Sequence, residues 1–203
     1  MKKIIYLIAT VAFSTFSTQV NAQNTSKTFV IDAGHGGYDS GSKNGDVIEN
    51  EYSLELAKKI QELAKKKNIN VVLTRNENEF LDIQSRVKKS NDLKPDLVIS
   101  LHLNSSINKD LKGSEVYIAK ENNDANSTKI GTDLAELVSI NSIENRGLKK
   151  GNFKILRDSK VPTFLIELGF ISNQNDFETL NSTQHKNQLA EKIVTYLENY
   201  QSI

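Results

Sequence analysis

The chain has 203 residues, no cysteine and a formal charge of +1 at neutral pH. Without cysteine there are no disulfides and no thiolate metal sites, so histidine and carboxylate are the side chains left to bind a metal. A nearly neutral chain lacks the basic footprint of a nucleic-acid-binding protein, and we expect no nucleic-acid partner. Roughly 180 residues would follow a leader, which is enough for one domain with its own core.

The first segment has the pattern of a secretory leader. Two lysines precede an apolar run over residues 4–16, and small residues that suit signal peptidase end at Ala22. We therefore predict a signal peptide over residues 1–22 and a mature domain over residues 23–203. Loss of the two lysines lowers the formal charge from +1 to −1. A spanning anchor is the alternative, but it needs about 20 apolar residues. Polar residues interrupt this run too early, so we expect no stable membrane anchor after cleavage.

After the leader, short apolar runs typical of buried strands alternate with segments whose apolar residues recur at helical spacing. This order favours a single α/β domain with a largely parallel twisted sheet and helices on both faces. No internal repeat or second domain is visible. The predicted strands are 28–32, 71–73, 97–101, 113–119, 153–156 and 163–167, the predicted helices are 54–64, 81–91, 130–140 and 189–200, and residues 121–127 form a polar connection.

Three of the predicted strands lead to a side chain suited to metal chemistry. The first leads to His35, the third to His102 and the last to Glu167, while Glu49 lies between the first two. In an open α/β sheet, ligands collect outside the carboxyl ends of parallel strands, so these side chains can converge on one crevice. Two imidazoles and a carboxylate would leave a zinc ion one open position, with the second carboxylate free to move protons. The pattern predicts a hydrolase.

Each of these residues also has a structural interpretation. A histidine at a strand end often makes one structural hydrogen bond. Glu49 could instead favour the positive end of a helix that begins near Asn50 or Glu51. Glu167 is harder to explain in this way, because an ionised carboxylate in an apolar run costs several kcal/mol unless it is paired or near a metal. His185, at the start of the last helix, is expected at the surface and is excluded as a ligand.

Other polar residues near the predicted strand ends have open roles. Asp32 and Asn104 could orient the imidazoles or make local hydrogen bonds. Arg75, Arg86 and Arg146 could bind substrate carboxylates or make structural ion pairs, and the sequence does not rank these options.

A glycine-rich loop at residues 34–37 raises a nucleotide-binding alternative. Asp39 stands where a dinucleotide fingerprint needs its third glycine, and Ser42 replaces the lysine of a P-loop. We expect instead that these glycines let the backbone turn sharply around His35.

Five motifs resemble, in order and spacing, those of the zinc-dependent N-acetylmuramoyl-L-alanine amidases of the amidase-3 type. The resemblance extends from about Thr28 to the last predicted helix. A single Gly-His-Gly-Gly would be weak evidence, whereas five motifs in the family's order are specific. The motifs are residues 31–37, Glu49 with Leu54 and Ala57 after it, residues 100–104, residues 145–147 and residues 166–173.

The resemblance implies a role for each candidate residue. His35, Glu49 and His102 fall on the family's zinc ligands, and Glu167 falls on its catalytic glutamate. The implied cofactor is Zn²⁺, and the implied partner is peptidoglycan. The implied reaction is hydrolysis of the amide between the lactyl group of N-acetylmuramic acid and L-alanine of the stem peptide. A zinc peptidase acting on other peptides and a non-catalytic wall-binding protein are the alternatives.

The leader and the compact length predict a secreted, periplasmic protein. The sequence does not identify an activating protein. Some periplasmic members of the family carry a long helical insertion that covers the zinc, whereas residues 121–127 are short and polar here. We therefore expect an open site.

Overall fold

The computed structural model describes residues 27–201, and the predicted signal peptide lies outside this range. Eight strands and six helices follow one another in near alternation within it. The strands are β1 (Thr28–Ala33), β2 (Lys43–Asn44), β3 (Val47–Ile48), β4 (Asn70–Leu73), β5 (Leu97–Asn104), β6 (Ser114–Ala119), β7 (Asn145–Gly151) and β8 (Thr163–Phe170). The helices are α1 (Glu49–Lys66), α2 (Ile83–Leu93), α3 (Ala125–Val138), α4 (Lys154–Arg157), α5 (Gln174–Leu180) and α6 (Thr183–Gln201).

Six of the strands form one sheet in the order β4-β1-β5-β8-β6-β7, and β2 pairs with β3 in a separate hairpin. Neighbours from β4 to β8 are parallel, while β6 runs antiparallel to β8 and carries β7 parallel to itself. Helices cover both faces of this sheet. The predicted single α/β domain with a largely parallel sheet is therefore confirmed.

The two faces of the sheet carry cores of unequal size. Helices α1, α3, α5 and α6 pack on one face over a large apolar core that includes Ile31, Leu101 and Ile166. On the other face α4 covers a small cluster around Ile155, Leu156 and Leu165, and α2 packs against α4. The thinner cover on this second face leaves room for polar side chains at the carboxyl ends of the strands. Among the residues described, no helix combines the length and the apolar composition needed to cross a bilayer.

The edge of the sheet beyond β8 differs from the prediction. Residues 153–156, predicted as a strand, lead into and form most of the short helix α4. The sixth strand of the sheet is β7 instead. A short apolar run does not distinguish a buried strand from a buried helical turn, because Ile155 and Leu156 can face the core in either. β7 lacks an apolar run because it pairs only with β6, and lysines are common on such edge strands.

Two helices begin earlier in the chain than predicted. α1 begins at Glu49 itself, one residue before the predicted start, and α3 begins at Ala125, within the predicted polar connection. Asp124 caps α3 by accepting a hydrogen bond from the Ser127 amide at 2.7 Å, so the turn-forming residues of the connection start the helix.

Candidate metal centre and active site

The loop after β1 brings His35 to the carboxyl edge of the sheet. His35 has a φ of 57°, an uncommon conformation for a residue other than glycine. A backbone bridge between Gly36 and Asp39 closes the turn. His35 Nδ1 donates to Asp39 Oδ2 at 2.9 Å, which fixes the ring so that its Nε2 faces Glu49. The loop therefore presents one defined ring nitrogen.

Glu49 stands at the first position of α1 and is 2 % exposed. Its Oε2 accepts a hydrogen bond from the Ser42 amide at 2.7 Å, and its Oε1 accepts one from the Leu103 amide at 3.1 Å. Glu49 is thus at the amino end of a helix, as the structural interpretation supposed. Its carboxylate nevertheless turns toward the two histidines, and the backbone holds it there.

His102 completes the group from within β5. His102 Nδ1 lies 2.8 Å from Glu49 Oε1, and His35 Nε2 lies 3.0 Å from the same oxygen. The two imidazole rings are 5.0 Å apart and nearly perpendicular. One ligand atom from each of the three residues lies within 4.8 Å of the others. The structure therefore brings together the three residues that the sequence singled out.

Two glycines make this close packing possible. A Cβ on Gly34 would lie 2.4 Å from His102 Cε1, and a Cβ on Gly41 would lie 2.4 Å from Glu49 Oε2. Real Cβ atoms do not approach other atoms so closely, so any larger residue would displace a side chain of the group.

The electrostatics of the group would attract a cation. Burial lowers the pKa of His35, but hydrogen bonds and charges from Glu49 and Asp39 outweigh it and raise this pKa to about 9. Burial raises the pKa of Glu49, yet the two imidazoles hold it well below its ordinary value. The pKa of His102 is likewise raised above 6.5 by Glu49 against the opposing effect of burial. A buried carboxylate that favours positive charge on two neighbouring imidazoles would also favour a metal cation between them, and metal binding releases protons from such ligands.

The donor set fits zinc. Two imidazole nitrogens and one carboxylate oxygen form a recurrent ligand set of catalytic zinc sites, which keep a fourth position for water or substrate. The two nitrogens converge on one carboxylate oxygen, so the three side chains could share one ion.

Glu167 lies beside this group on the neighbouring strand. It is the register partner of His102 across the parallel β5–β8 pair. Its Oε2 is buried and has no hydrogen-bond partner among the described residues. Burial, with the nearby carboxylates of Glu49 and Glu115, raises the pKa of Glu167 to about 7, although the charge of His102 acts in the opposite direction. Such a carboxyl group can gain or lose a proton near neutral pH.

We call His35, Glu49 and His102 the metal group. A cavity of about 390 Å³ opens next to it. Its lining includes the polar side chains of His35 and His102 and the apolar side chains of Phe80, Ile83 and Phe153. Residues 121–127 do not line this cavity, and Asn123 accepts a hydrogen bond from Lys150 on β7.

Asp39, rather than Asp32 or Asn104, orients a ligand imidazole. Asp32 is buried and accepts hydrogen bonds from Thr74, Ser100 and Arg86, and Asn104 contacts the Ser105 amide and Glu115. Of the two roles left open for Asp32 and Asn104, the structure shows hydrogen bonds to residues other than the imidazoles. The spacing of four residues between a histidine and an aspartate across a glycine turn was the available signal for Asp39.

Two of the three arginines have structural roles. Arg75 is buried and donates to the carbonyls of Ala33, Gly34 and Asn50. Arg86 is buried as well and forms an ion pair with Asp32 at 2.8 Å. Both side chains donate to backbone carbonyls of the loop that carries His35 and hold it in place.

His185 is buried, which corrects the prediction of a surface position. It is 2 % exposed, and its Nδ1 accepts a hydrogen bond from Asn141 Nδ2 at 2.9 Å. Its Nε2 has no partner among the described residues, and burial lowers its pKa to about 4. It takes no part in the metal group.

The sequence profile of the amidase-3 family, described as N-acetylmuramoyl-L-alanine amidase, matches residues 29–199. The chain belongs to this family. The resemblance seen in the five motifs is thereby confirmed. Membership supports a peptidoglycan amidase that acts outside the cytoplasm, in the periplasm or beyond the cell.

Similar proteins agree with this assignment. The chain is 33 % identical to the uncharacterized protein YqiI of Bacillus subtilis, over 86 % of this chain and 84 % of that protein. It is 31 % identical to the N-acetylmuramoyl-L-alanine amidase LytC of Bacillus subtilis, but it spans only 34 % of LytC. The structure of the amidase AmiC2 of Nostoc punctiforme superposes with a TM-score of 0.78 at 31 % identity, covering 88 % of this chain and 98 % of that one.

Proposed function

We propose that this protein is a zinc-dependent N-acetylmuramoyl-L-alanine amidase. His35, Glu49 and His102 hold the zinc ion, and Glu167 moves the proton. The convergence of two imidazole nitrogens and one carboxylate within 4.8 Å, beside a buried and unpartnered carboxyl oxygen, carries the proposal.

A bound zinc ion would supply a Lewis acid for the scissile carbonyl and would acidify water at the site. The residues of the chain would position the metal ligands and transfer the proton. Asp39 keeps the proton of His35 on Nδ1, which leaves Nε2 free as a ligand. The amides of Ser42 and Leu103 fix the Glu49 carboxylate. Glu167 Oε2 takes a proton from the attacking water and returns it to the leaving amine.

The bond that we propose is the amide between the lactyl group of N-acetylmuramic acid and L-alanine. Family membership supports this specificity, whereas the metal group alone would serve a peptidase equally well. Peptidoglycan is the proposed partner. We further propose export through residues 1–22 and action in the periplasm.

Product analysis of digested peptidoglycan tests the bond. We expect residues 23–203, loaded with zinc, to release stem peptides with a free amino-terminal L-alanine, detected by mass spectrometry. Release of peptides from any other bond, with intact lactyl-alanine linkages, would point to a zinc peptidase and would refute the amidase.

Elemental analysis of the same preparation tests the ion. We expect one zinc per chain, loss of activity with a chelator and recovery on adding zinc. His102→Asn should lower the zinc content, whereas Lys58→Asn, on the outer surface of α1, should leave it unchanged. Full hydrolysis by metal-free protein would contradict the proposal.

A further inference from the structure

Arg146 is the one member of the arginine trio that the fold leaves accessible. Arg75 and Arg86 are buried against the loop of His35, whereas the Arg146 side chain is 31 % exposed on β7. Its guanidinium lies over the ring of Phe170, 5.5 Å from the centroid, which fixes its position. The structure thus ranks the three candidates that the sequence left equal.

Arg146 and Lys149 share one buried carboxylate. Glu115 is 3 % exposed, and its Oε1 accepts hydrogen bonds at 2.6 Å from both Arg146 Nε and Lys149 Nζ. Its Oε2 accepts one from the Tyr117 hydroxyl at 2.6 Å. Two cations against one carboxylate leave this cluster with a positive charge. Lysine has three donors and Arg146 five, so both retain donors beyond those that Glu115 uses.

The cluster lies on the same face of the sheet as the metal group. His102 is the register partner of Glu167, Glu167 is that of Glu115, and Tyr117 is that of Lys149. Register partners project to the same face, and so do residues two apart on one strand. A polar row therefore crosses the sheet from the metal group to the edge strand.

The spacing of this row matches a short extended peptide. Adjacent strands are about 4.8 Å apart, so Glu115 lies about one strand spacing beyond Glu167. An extended peptide advances about 3.4 Å per residue. A peptide that begins at the scissile amide and follows the row would bring its second residue to the cations held by Glu115.

We propose that Arg146 and Lys149 bind a carboxylate carried by the second residue of the stem peptide. This inference rests on the proposed function, because it takes Glu167 to mark the scissile amide. Glu115 is a positioning residue in this subsite, since it holds the two cations without meeting the substrate. The ligand class is an acidic peptide attached to N-acetylmuramic acid.

Two matched substrates test the subsite. The first is N-acetylmuramoyl-L-alanyl-γ-D-glutamyl-L-lysinamide, and the second carries a carboxamide in place of the glutamate α-carboxylate. We expect the wild type to prefer the carboxylate through a lower KM, by roughly tenfold or more, the ratio for one hydrogen bond to a charged group. Lys149→Met should abolish most of this preference while kcat changes little.

The matched control is Lys150→Met, which removes the same charge from the next residue of the same strand. Lys150 projects to the other face and donates to Asn123, so the preference should persist in this variant. Arg146→Gln provides a second variant if Lys149→Met unfolds, as checked by thermal melting. Equal KM values for both substrates in the wild type, or an undiminished preference in the Lys149 and Arg146 variants, would overturn the subsite.

Binding of the free peptides separates this inference from the proposed reaction. Calorimetry with Glu167→Gln and the two peptides, L-alanyl-γ-D-glutamyl-L-lysinamide and its carboxamide counterpart, needs no turnover. Tighter binding of the carboxylate peptide, lost in a Lys149→Met background, supports the subsite even if hydrolysis fails. Equal binding of both peptides overturns the subsite even if hydrolysis succeeds.

Discussion

The two faces of the six-stranded sheet differ although the same strands form both. On β5, Leu101 enters the large core while its neighbour His102 joins the metal group, and on β8 Ile166 and Glu167 divide in the same way. Side chains alternate along a strand, so one short segment supplies packing to one face and chemistry to the other. Substitution of one of two adjacent residues should therefore lower the stability, whereas substitution of the other should lower the activity.

Glu167→Gln should give the largest change in rate. The amide cannot accept and return a proton, so we expect hydrolysis to fall by roughly 10²- to 10⁴-fold. Zinc content should stay near that of the wild type, and the free energy of unfolding should not fall, because the change removes a buried charge. Rate measurements on muropeptides, paired with elemental analysis, check this. A variant with the wild-type rate would remove Glu167 from the reaction.

Ile166→Ala, one residue earlier, should show the opposite behaviour. Ile166 is fully buried in the large core, and truncation of such a side chain costs about 2–5 kcal/mol of unfolding free energy. Activity per folded molecule should stay close to that of the wild type. Urea unfolding and rate measurements at low temperature check both quantities. If activity fell while stability held, the division between the two faces would be wrong.

His185 should make the free energy of unfolding of the protein depend on pH. Burial lowers its pKa from 6.5 to about 4, so the unfolded chain binds this proton first as the pH falls. The stabilisation is complete above pH 6.5 and is lost as the pH falls toward 4, by up to about 3 kcal/mol. Denaturant unfolding between pH 7 and 5 measures this loss.

His185→Gln is the control for this pH dependence, because glutamine does not titrate. Its stability should change less than that of the wild type across the same pH range. Identical slopes in both proteins would show that other groups cause the loss.

Asp39→Asn should give the smallest effect, confined to the metal group. The amide holds the His35 ring less firmly and no longer raises its basicity. Loss of such a supporting hydrogen bond lowers metal affinity by about 10- to 100-fold. Competition with a fluorescent zinc chelator measures it, with Asp46→Asn, at an exposed turn, as the control. Equal affinity in both variants would exclude a supporting role for Asp39.

The parallel half of the sheet could be predicted from the sequence. The strands that carry His102 and Glu167 are continuous apolar runs, the pattern expected where helices cover both faces. The carboxyl ends of parallel strands meet at one edge, and this favoured placing His35, His102 and Glu167 together. The choice of Glu49 depended on the family resemblance instead. His102 proved to lie within its strand rather than after it, and Glu167 lies in the middle of its strand rather than at its end, because backbone pairing continues to Asn104 and Phe170.

The antiparallel edge could not be predicted in the same way. β7 has little apolar character because it packs on one side only, and the run at residues 153–156 suits a helical turn as well as a strand. The buried state of His185 depends on contacts that local patterns do not encode. The pairing of His185 with Asn141 joins residues 44 positions apart.

The shared register of β5 and β8 restricts how this protein can change in length. A slip of one residue in β8 would turn Glu167 into the apolar layer and bring Ile166 to the cavity, so folding and hydrolysis would be lost together. Insertions and deletions are therefore compatible with the loops at the carboxyl edge but not with these two strands. New substrate preferences would have to arise by remodelling those loops around an unchanged pair of strands.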